Sequence, residues 1–332
     1  MRNELIIKRV RSANLKDDVA FLFGLLRVPE RMAQLDPVLL KPNIFSRESA
    51  EAGATTDMQL LGTVIDYFTR QGKQVMVVEA GANQYAQSHM FADLGLYEFC
   101  AERKAEFVNL NESPSEPVEF EIRGRKLTFQ VPTLLLRPHF LVNLPKFKTH
   151  LSTRVSWAMK NLYGLLPDKV KWMGHRVGIH ETLLALNQRF PAHAVLMDGI
   201  VAMKGMGPTM GLPVQKNLLF AAPDQFVHDL GLLRLLNIRH VPHIERCTGG
   251  RPMEIAYQFL NEAGDPVEPA ELGVDLRLPP LAFSRFFIRT NQLFFTLAPF
   301  MEKFFNPKSI LNFMVNRPLV GLVRNVQKLF RV

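Results

Sequence analysis

The chain has little cysteine, no long apolar run and, in two places, almost no acid. Its 332 residues include two cysteines, Cys100 and Cys247. Two thiols cannot build a disulfide framework. Nor can they supply the four thiolates of an iron–sulfur cluster or an all-cysteine zinc site within one chain. No iron–sulfur cluster is therefore expected, and both residues read as buried thiols in a reducing compartment. The chain holds no uncharged apolar stretch of roughly 18 residues, the length a membrane-spanning helix needs. The opening residues, MRNELIIKRVRS, lack an apolar signal core, so a cytoplasmic protein is expected.

With 47% apolar and 21% charged residues the composition is that of a folded globular protein. Its length suits one large α/β domain or two smaller ones. The net charge of +9 is unevenly spread. Residues 277–332 hold nine Lys and Arg against one acid, Glu302; residues 1–276 hold 31 basic and 30 acidic side chains. The tail also carries ten of the 25 phenylalanines. A nearly neutral body, residues 1–276, is thus followed by a basic, Phe-rich tail, residues 277–332.

Patterning along the body alternates strand and helix. Apolar runs at 5–7, 37–40, 75–78, 106–110, 140–142, 194–197 and 218–221 read as strands. Residues 17–26, 57–68 (capped by Asp57), 88–103, 180–190 and a stretch from Asp229 through Leu236 read as helices. Alternation of this kind predicts an α/β fold: a mostly parallel mixed sheet with helices on both faces. Residues 118–131 alternate apolar and polar on either side of Arg123-Gly124-Arg125, which predicts one β-hairpin, placed at a sheet edge. The tail predicts a helical C-terminal extension, cut into short helices by Pro299, Pro307 and Pro318, with Phe283, Phe287, Phe294, Met301 and Phe305 near one face.

The second acid-poor place carries the chemistry. Between Leu141 and His180 the only acid is Asp168, amid five lysines and three histidines. A core does not need that many cations in one stretch, whereas a site for an anion does. Several predicted strands also end in polar residues: Lys41 and Asn43, Glu79, Asn143 with Lys146 and Lys148, Asp198, and Asp224. Ligands of open parallel sheets bind outside such carboxyl ends. Thr149 or Ser152 is expected to cap a helix that sets Trp157, Lys160, Asn161 and Gly164 on one ligand-facing side, with Val155, Met159 and Leu162 toward the core. The expected anion-binding set is Lys41, Asn43, Lys146, Lys148, Asn161 and Gly207, the last in a Gly-rich loop at 204–211. That loop lacks nucleotide-loop spacing and precedes Pro213 and a strand. His150, Lys160, His175 and His180 are the expected catalytic groups, with Glu79 and Asp198 supporting them. His175 and His180 are the candidate ligands of a divalent metal.

These motifs resemble domain-of-unknown-function family 362 over roughly residues 36–240. The carriers are Lys41-Pro42-Asn43, Ala54-Thr55-Thr56-Asp57, Val78-Glu79, Val142-Asn143-Leu144-Pro145-Lys146-Phe147-Lys148-Thr149-His150, Lys160-Asn161-Leu162-Tyr163-Gly164, His175, Asp198-Gly199-Ile200 and Gly207-Pro208. Many members of that family carry a ferredoxin-like segment and are labelled iron–sulfur proteins; this chain has no Cys-x-x-Cys. A fainter likeness, in the order His150, Lys160, His175 or His180, is to lactate racemases that use a nickel-pincer nucleotide tethered to lysine. That analogy implies isomerase or oxidoreductase chemistry.

The expectation is an enzyme acting on an anionic small molecule or a lipid-linked substrate. It would work at the inner, cytoplasmic membrane face, held to anionic lipid through residues 277–332. The alternative is a non-catalytic, membrane-associated protein that holds a ligand or cofactor in the same pocket. No nucleic-acid partner is expected, since the tail's helical Phe pattern suits lipid better than stacked bases.

Overall fold

The structure, a computed structural model, describes residues 3–81 and 89–301. In chain order the strands are β1 (Glu4–Arg9), β2 (Val38–Pro42), β3 (Val75–Glu79), β4 (Glu106–Asn109), β5 (Ser115–Ile122), β6 (Arg125–Pro132), β7 (Phe140–Leu144), β8 (Lys146–His150), β9 (Arg154–Val155), β10 (Ala194–Lys204), β11 (Leu212–Ala222) and β12 (Ala256–Leu260). The helices are α1 (Leu15–Leu25), α2 (Val28–Met32), α3 (Met58–Thr69), α4 (Met90–Asp93), α5 (Leu96–Ala101), α6 (Ala158–Asn161), α7 (Asp168–Val177), α8 (Ile179–Arg189), α9 (Gln225–Leu235), α10 (Pro242–Glu245), α11 (Pro269–Leu272) and α12 (Leu281–Met301).

The main sheet runs β12-β1-β11-β10-β7-β2-β3-β4, and along this path only β11 is antiparallel to its neighbours. The long strand β10 pairs with β7 at its start and with β8 further on, so the run from Phe140 to His150, bent at Pro145, lines it twice. Strand side chains alternate between two buried faces. Val38, Leu40, Val75, Val77, Phe140 and Val142 join α1, α3 and α5 in one core. Leu39, Val78, Leu141 and Val195 face the hairpin, α7 and α8 in a second. Leu5, Ile7, Met197, Leu218 and Phe220 meet α9 and α10 in a third. Sheets covered on both sides need apolar residues at every position, as the strand sequences show.

The chain passes from β2 outward through β3 to β4. It then returns to the other flank of β2 as β7 and continues to β10. Direction therefore reverses between β2 and β7, and the carboxyl ends on either side of that point carry Lys41 and Asn143, which are register partners. In α/β sheets such a reversal opens a crevice for ligand.

Asp57 and Asp224 cap α3 and α9 through their side chains. Four local expectations are corrected. The stretch after His150 does not start a helix: Thr149 lies in β8, β9 follows, and α6 begins at Ala158 without a local side-chain cap. Its cap comes from afar, because the buried Asp229 carboxylate accepts from Ala158 N at 3.0 Å and Met159 N at 2.8 Å. The helix expected at 88–103 is broken into α4 and α5 at Gly95, whose φ is 67°; Ser88 lies outside the described residues. The hairpin β5–β6 does not extend the main sheet but forms a two-stranded sheet of its own, burying Phe120, Ile122, Phe129 and Val131. Pro299 does not end a helix, since α12 runs through it. Pro307, Pro318 and Phe305 lie outside the described residues.

Removing the Asp229 carboxylate leaves two buried amides and the adjacent His228, 2.7 Å from Oδ1, without their acceptor. Asp229→Ala is expected to lower folding stability by about 3 kcal/mol, read by urea denaturation. Asp229→Asn, which keeps one acceptor oxygen, should lose less. A loss under about 0.5 kcal/mol for the alanine variant would show that the distant cap does not hold α6.

Candidate functional site

Five lysines converge on the crevice between β2 and β7, and three of them are paired. Lys41 Nζ lies 2.7 Å from Glu79 Oε2, Lys146 Nζ is 2.7 Å from Asp198 Oδ2, and Lys171 Nζ is 2.9 Å from Asp168 Oδ1. All six side chains are buried. The carboxylates are saturated by the backbone as well. Glu79 accepts from Ile44 N and Ala80 N, while Asp198 accepts from Asp57 N and Ile200 N. Glu79 thus ties the ends of β2 and β3 to the loops that follow, and Asp198, midway along β10, ties that strand to the start of β8 and to the residue that caps α3. Gly164 presses on the first pair. A Cβ there would stand 2.6 Å from both Glu79 Oε1 and Lys41 Nζ, so only glycine lets this turn close over it.

Lys148 and Lys160 form no ion pair among the described residues. Lys148 is fully buried, donates to Asn43 Oδ1 (2.8 Å) and to Ala54 O, and sits over the Phe45 ring at 4.1 Å. Those two hydrogen bonds leave one of its three N–H groups. Lys160 is half-buried, and its ammonium lies over the Tyr163 ring, 4.9 Å from the centroid. Burial first, then the Lys146 and Lys160 ammonium groups, pushes Lys148 well below its usual range. Burial first, then Lys171 and Lys41, brings Lys160 down to about 7. A bound anion would reverse both shifts.

The asparagines form a chain under these lysines. Asn43 Nδ2 donates to Asn161 Oδ1 (2.8 Å), Asn161 Nδ2 to Asn143 Oδ1 (2.7 Å), and Asn143 Nδ2 to the Ala158 carbonyl (2.9 Å). Asn43 therefore fixes Lys148, Asn161 ties the end of α6 to β2 and β7, and Asn143 ties its first residue to β7. Trp157 is fully buried and stacked on Phe147.

Imidazoles line the other side. His150 Nδ1 accepts from Ser152 N (3.1 Å) and Thr153 N (3.4 Å), so its proton sits on Nε2. Burial and the nearby Lys160 and Lys148 hold it neutral. His175 packs edge-on against Tyr163 and is lowered to about 3 by burial, then by Lys160 and Lys171. His180, at the first turn of α8, falls to about 4, chiefly through burial. Its Nδ1 meets Nδ1 of His243 at 2.9 Å. Among the described residues no group of three or more His, Cys, Asp or Glu is placed to hold a metal ion. Cys100 and Cys247 lie in different cores, their thiols pushed by burial to about 11 and about 12.

Gly207 is a packing position. A Cβ there would stand 2.1 Å from the Thr149 carbonyl oxygen, and its N–H is already shared between Thr149 Oγ1 (3.2 Å) and Gly205 O (3.0 Å). It holds the 205–211 loop against the end of β8.

Two groups were missed by sequence reasoning. Lys171 was counted as a cation without its partner Asp168, although an i, i+3 pair on a helix is a readable signal. His243 lies 63 residues from His180 in a short helix with no patterning to single it out.

The buried neutral histidines give the site a pH signature. The folded pKa values of His175 and His180 lie below 6.5, so on acidification the unfolded chain takes up protons that the folded chain refuses. Stability is therefore full above about pH 6.5 and falls toward pH 4, by up to about 1.4 kcal/mol per pH unit for each proton. His175→Asn should flatten this slope by about one proton in urea titrations across that range. An unchanged slope would place His175 in water.

Comparison with known proteins gives the lineage. Thylakoid-associated protein sll1697 of Synechocystis sp. is 33% identical over 104 residues, which is 30% of this chain and 32% of that protein. The chain thus matches about a third of that relative's length. The family model described as Domain of unknown function (DUF362) matches residues 38–233, from β2 to α9, a stretch that contains all five lysines. That match spans more than half of the chain, and the chain belongs to the DUF362 family.

Proposed function

We propose that this chain is an enzyme acting on an anionic small molecule or lipid-linked substrate, bound where β2 and β7 diverge. The observation that carries this reading is the pair of lysines, Lys148 and Lys160, brought into a low-dielectric crevice without carboxylates beside three lysines that have them. Uncompensated buried charge is costly, and a ligand anion offsets it. Lys160, held near neutrality, is suited to exchange a proton with the bound molecule. A non-catalytic ligand-binding protein would use the same cations, and Lys160→Met separates the two: an enzyme loses turnover beyond its loss of binding.

The anion binds protonated Lys160. Binding of inorganic phosphate, followed by calorimetry at low ionic strength, should therefore take up a proton above pH 7 and weaken as pH rises, approaching tenfold per unit. Lys160→Met should cost at least tenfold in affinity and abolish that proton uptake. Equal binding by the wild-type protein and the variant would sink the assignment.

A membrane-surface location is part of the proposal. Phe286 and Leu293, seven residues apart on α12, are 59% and 61% exposed, and Arg285 and Arg289 beside them are exposed too. Helix α12 packs on α7 with this side outward. Apolar side chains flanked by arginines suit the headgroup region of anionic lipid. The thylakoid association of the Synechocystis relative points the same way. Among the described residues no helix is long and apolar enough to cross a membrane. In the full chain, Phe286→Glu with Leu293→Glu should reduce co-flotation with phosphatidylglycerol vesicles several-fold without changing the thermal midpoint. Undiminished flotation would remove α12 from the contact.

A further inference from the structure

One histidine at the crevice has no assigned task. His243 lies in the single-turn helix α10, beyond the family match, and is 1% exposed. Its ring stacks on His180 with centroids 5.0 Å apart, and the two Nδ1 atoms are 2.9 Å apart. Its other nitrogen, Nε2, is buried and has no hydrogen-bond partner among the described residues. An unmet buried polar atom costs about 1–3 kcal/mol. Native proteins rarely carry one unless a ligand, ion or water meets it. Lys160 lies close enough for its charge to act on His243, and His243 likewise acts on His150. The orphan nitrogen therefore belongs to the neighbourhood of the unpaired lysine.

Hydrogen-bond bookkeeping then says what this neighbourhood recognises. Two neutral imidazoles with facing Nδ1 atoms share one proton. His180 is half-buried and its Nε2 is not enclosed, so it can donate from Nδ1 and leave Nε2 as an acceptor at no cost. His243 then accepts at Nδ1 and carries its proton on Nε2. His150 has the same arrangement, its Nδ1 occupied by backbone amides.

We propose that His243 completes the anion site by presenting Nε2–H to a doubly charged oxyanion of the phosphomonoester kind, with His180 as the positioning residue that sets its tautomer. This rests on the anion-site reading above. The groups within electrostatic range of one another here, Lys148 Nζ, Lys160 Nζ, His150 Nε2–H and His243 Nε2–H, are all donors. A ligand that only accepts matches them. A neutral hydroxyl compound would bring protons with nothing to receive them. A carboxylate brings one negative charge against two unpaired ammonium groups, whereas a phosphate dianion brings two.

The test is calorimetry of inorganic phosphate binding to the full chain at pH 7 and low ionic strength, with long-range 1H–15N spectra of the histidine rings. His243→Leu should bind about tenfold more weakly. His243→Gln, whose side-chain amide can donate from nearly the same place, should stay within about threefold. In the wild-type protein His243 should appear as the Nε2–H tautomer, and its Nε2 signal should move on adding phosphate. If Lys160→Met loses phosphate while His243→Leu binds like wild type, the anion site stands and the role of His243 is overturned. If the wild-type protein binds no phosphate, the anion-site reading itself fails. Should His243→Leu not fold, the wild-type spectra decide: an Nδ1–H tautomer, or a signal unmoved by phosphate, overturns the proposal.

Discussion

A buried ammonium group must find a carboxylate, a set of dipoles or a ligand, and this molecule buries four lysines and half-buries a fifth around one crevice. The pairs Lys41–Glu79 and Lys146–Asp198 come first. The first joins the ends of β2 and β3 and is completed by amides of the loops that leave them; the second joins the start of β8 to the middle of β10 and is completed by the amides of Asp57 and Ile200. With them in place, the ends of β2 and β3 are held to each other and the start of β8 is held to the middle of β10. The asparagine chain and Gly164 pack onto that frame, and Lys148 and Lys160 are left with charge that nothing in the described chain neutralises.

The division between frame and site was only partly visible in the sequence. The acid-poor stretch from Leu141 to His180 and the polar strand ends located the crevice, because strand termini and charge imbalance are local features. Which lysines are paired was not visible. Lys41 meets Glu79 across 38 residues and Lys146 meets Asp198 across 52, and such pairings follow from strand order, which periodicity does not report. Lys41 and Lys146, expected to hold an anion directly, thus stand with their charge already matched.

Secondary structure divides on similar lines. The cap at Asp57 lies three residues from the amide it serves and was legible; Asp224, read as a polar strand end, caps α9 in the same local way. The start of α6 was misplaced because its cap, Asp229, comes from another helix some 70 residues on. Thr149 and Ser152 offered a cap with no helix behind it. His243 escaped for the same reason: its significance lies in a stacked partner on α8 and in an unmet nitrogen, neither of which leaves a mark on the chain around it.

The proposed anion site and the exposed Phe286 and Leu293 of α12 would together suit a protein that works on charged molecules beside a lipid surface. The proposal turns on Lys160, an ammonium group with no carboxylate partner among the described residues, pairing with a bound anion. Nitrogen-15 NMR of its side chain, titrated with and without inorganic phosphate, tests this most directly. The account predicts a midpoint at about 7 in the ligand-free protein and a clear upward move when phosphate is present. A midpoint near the ordinary lysine value of about 10.4, unmoved by phosphate, would contradict it.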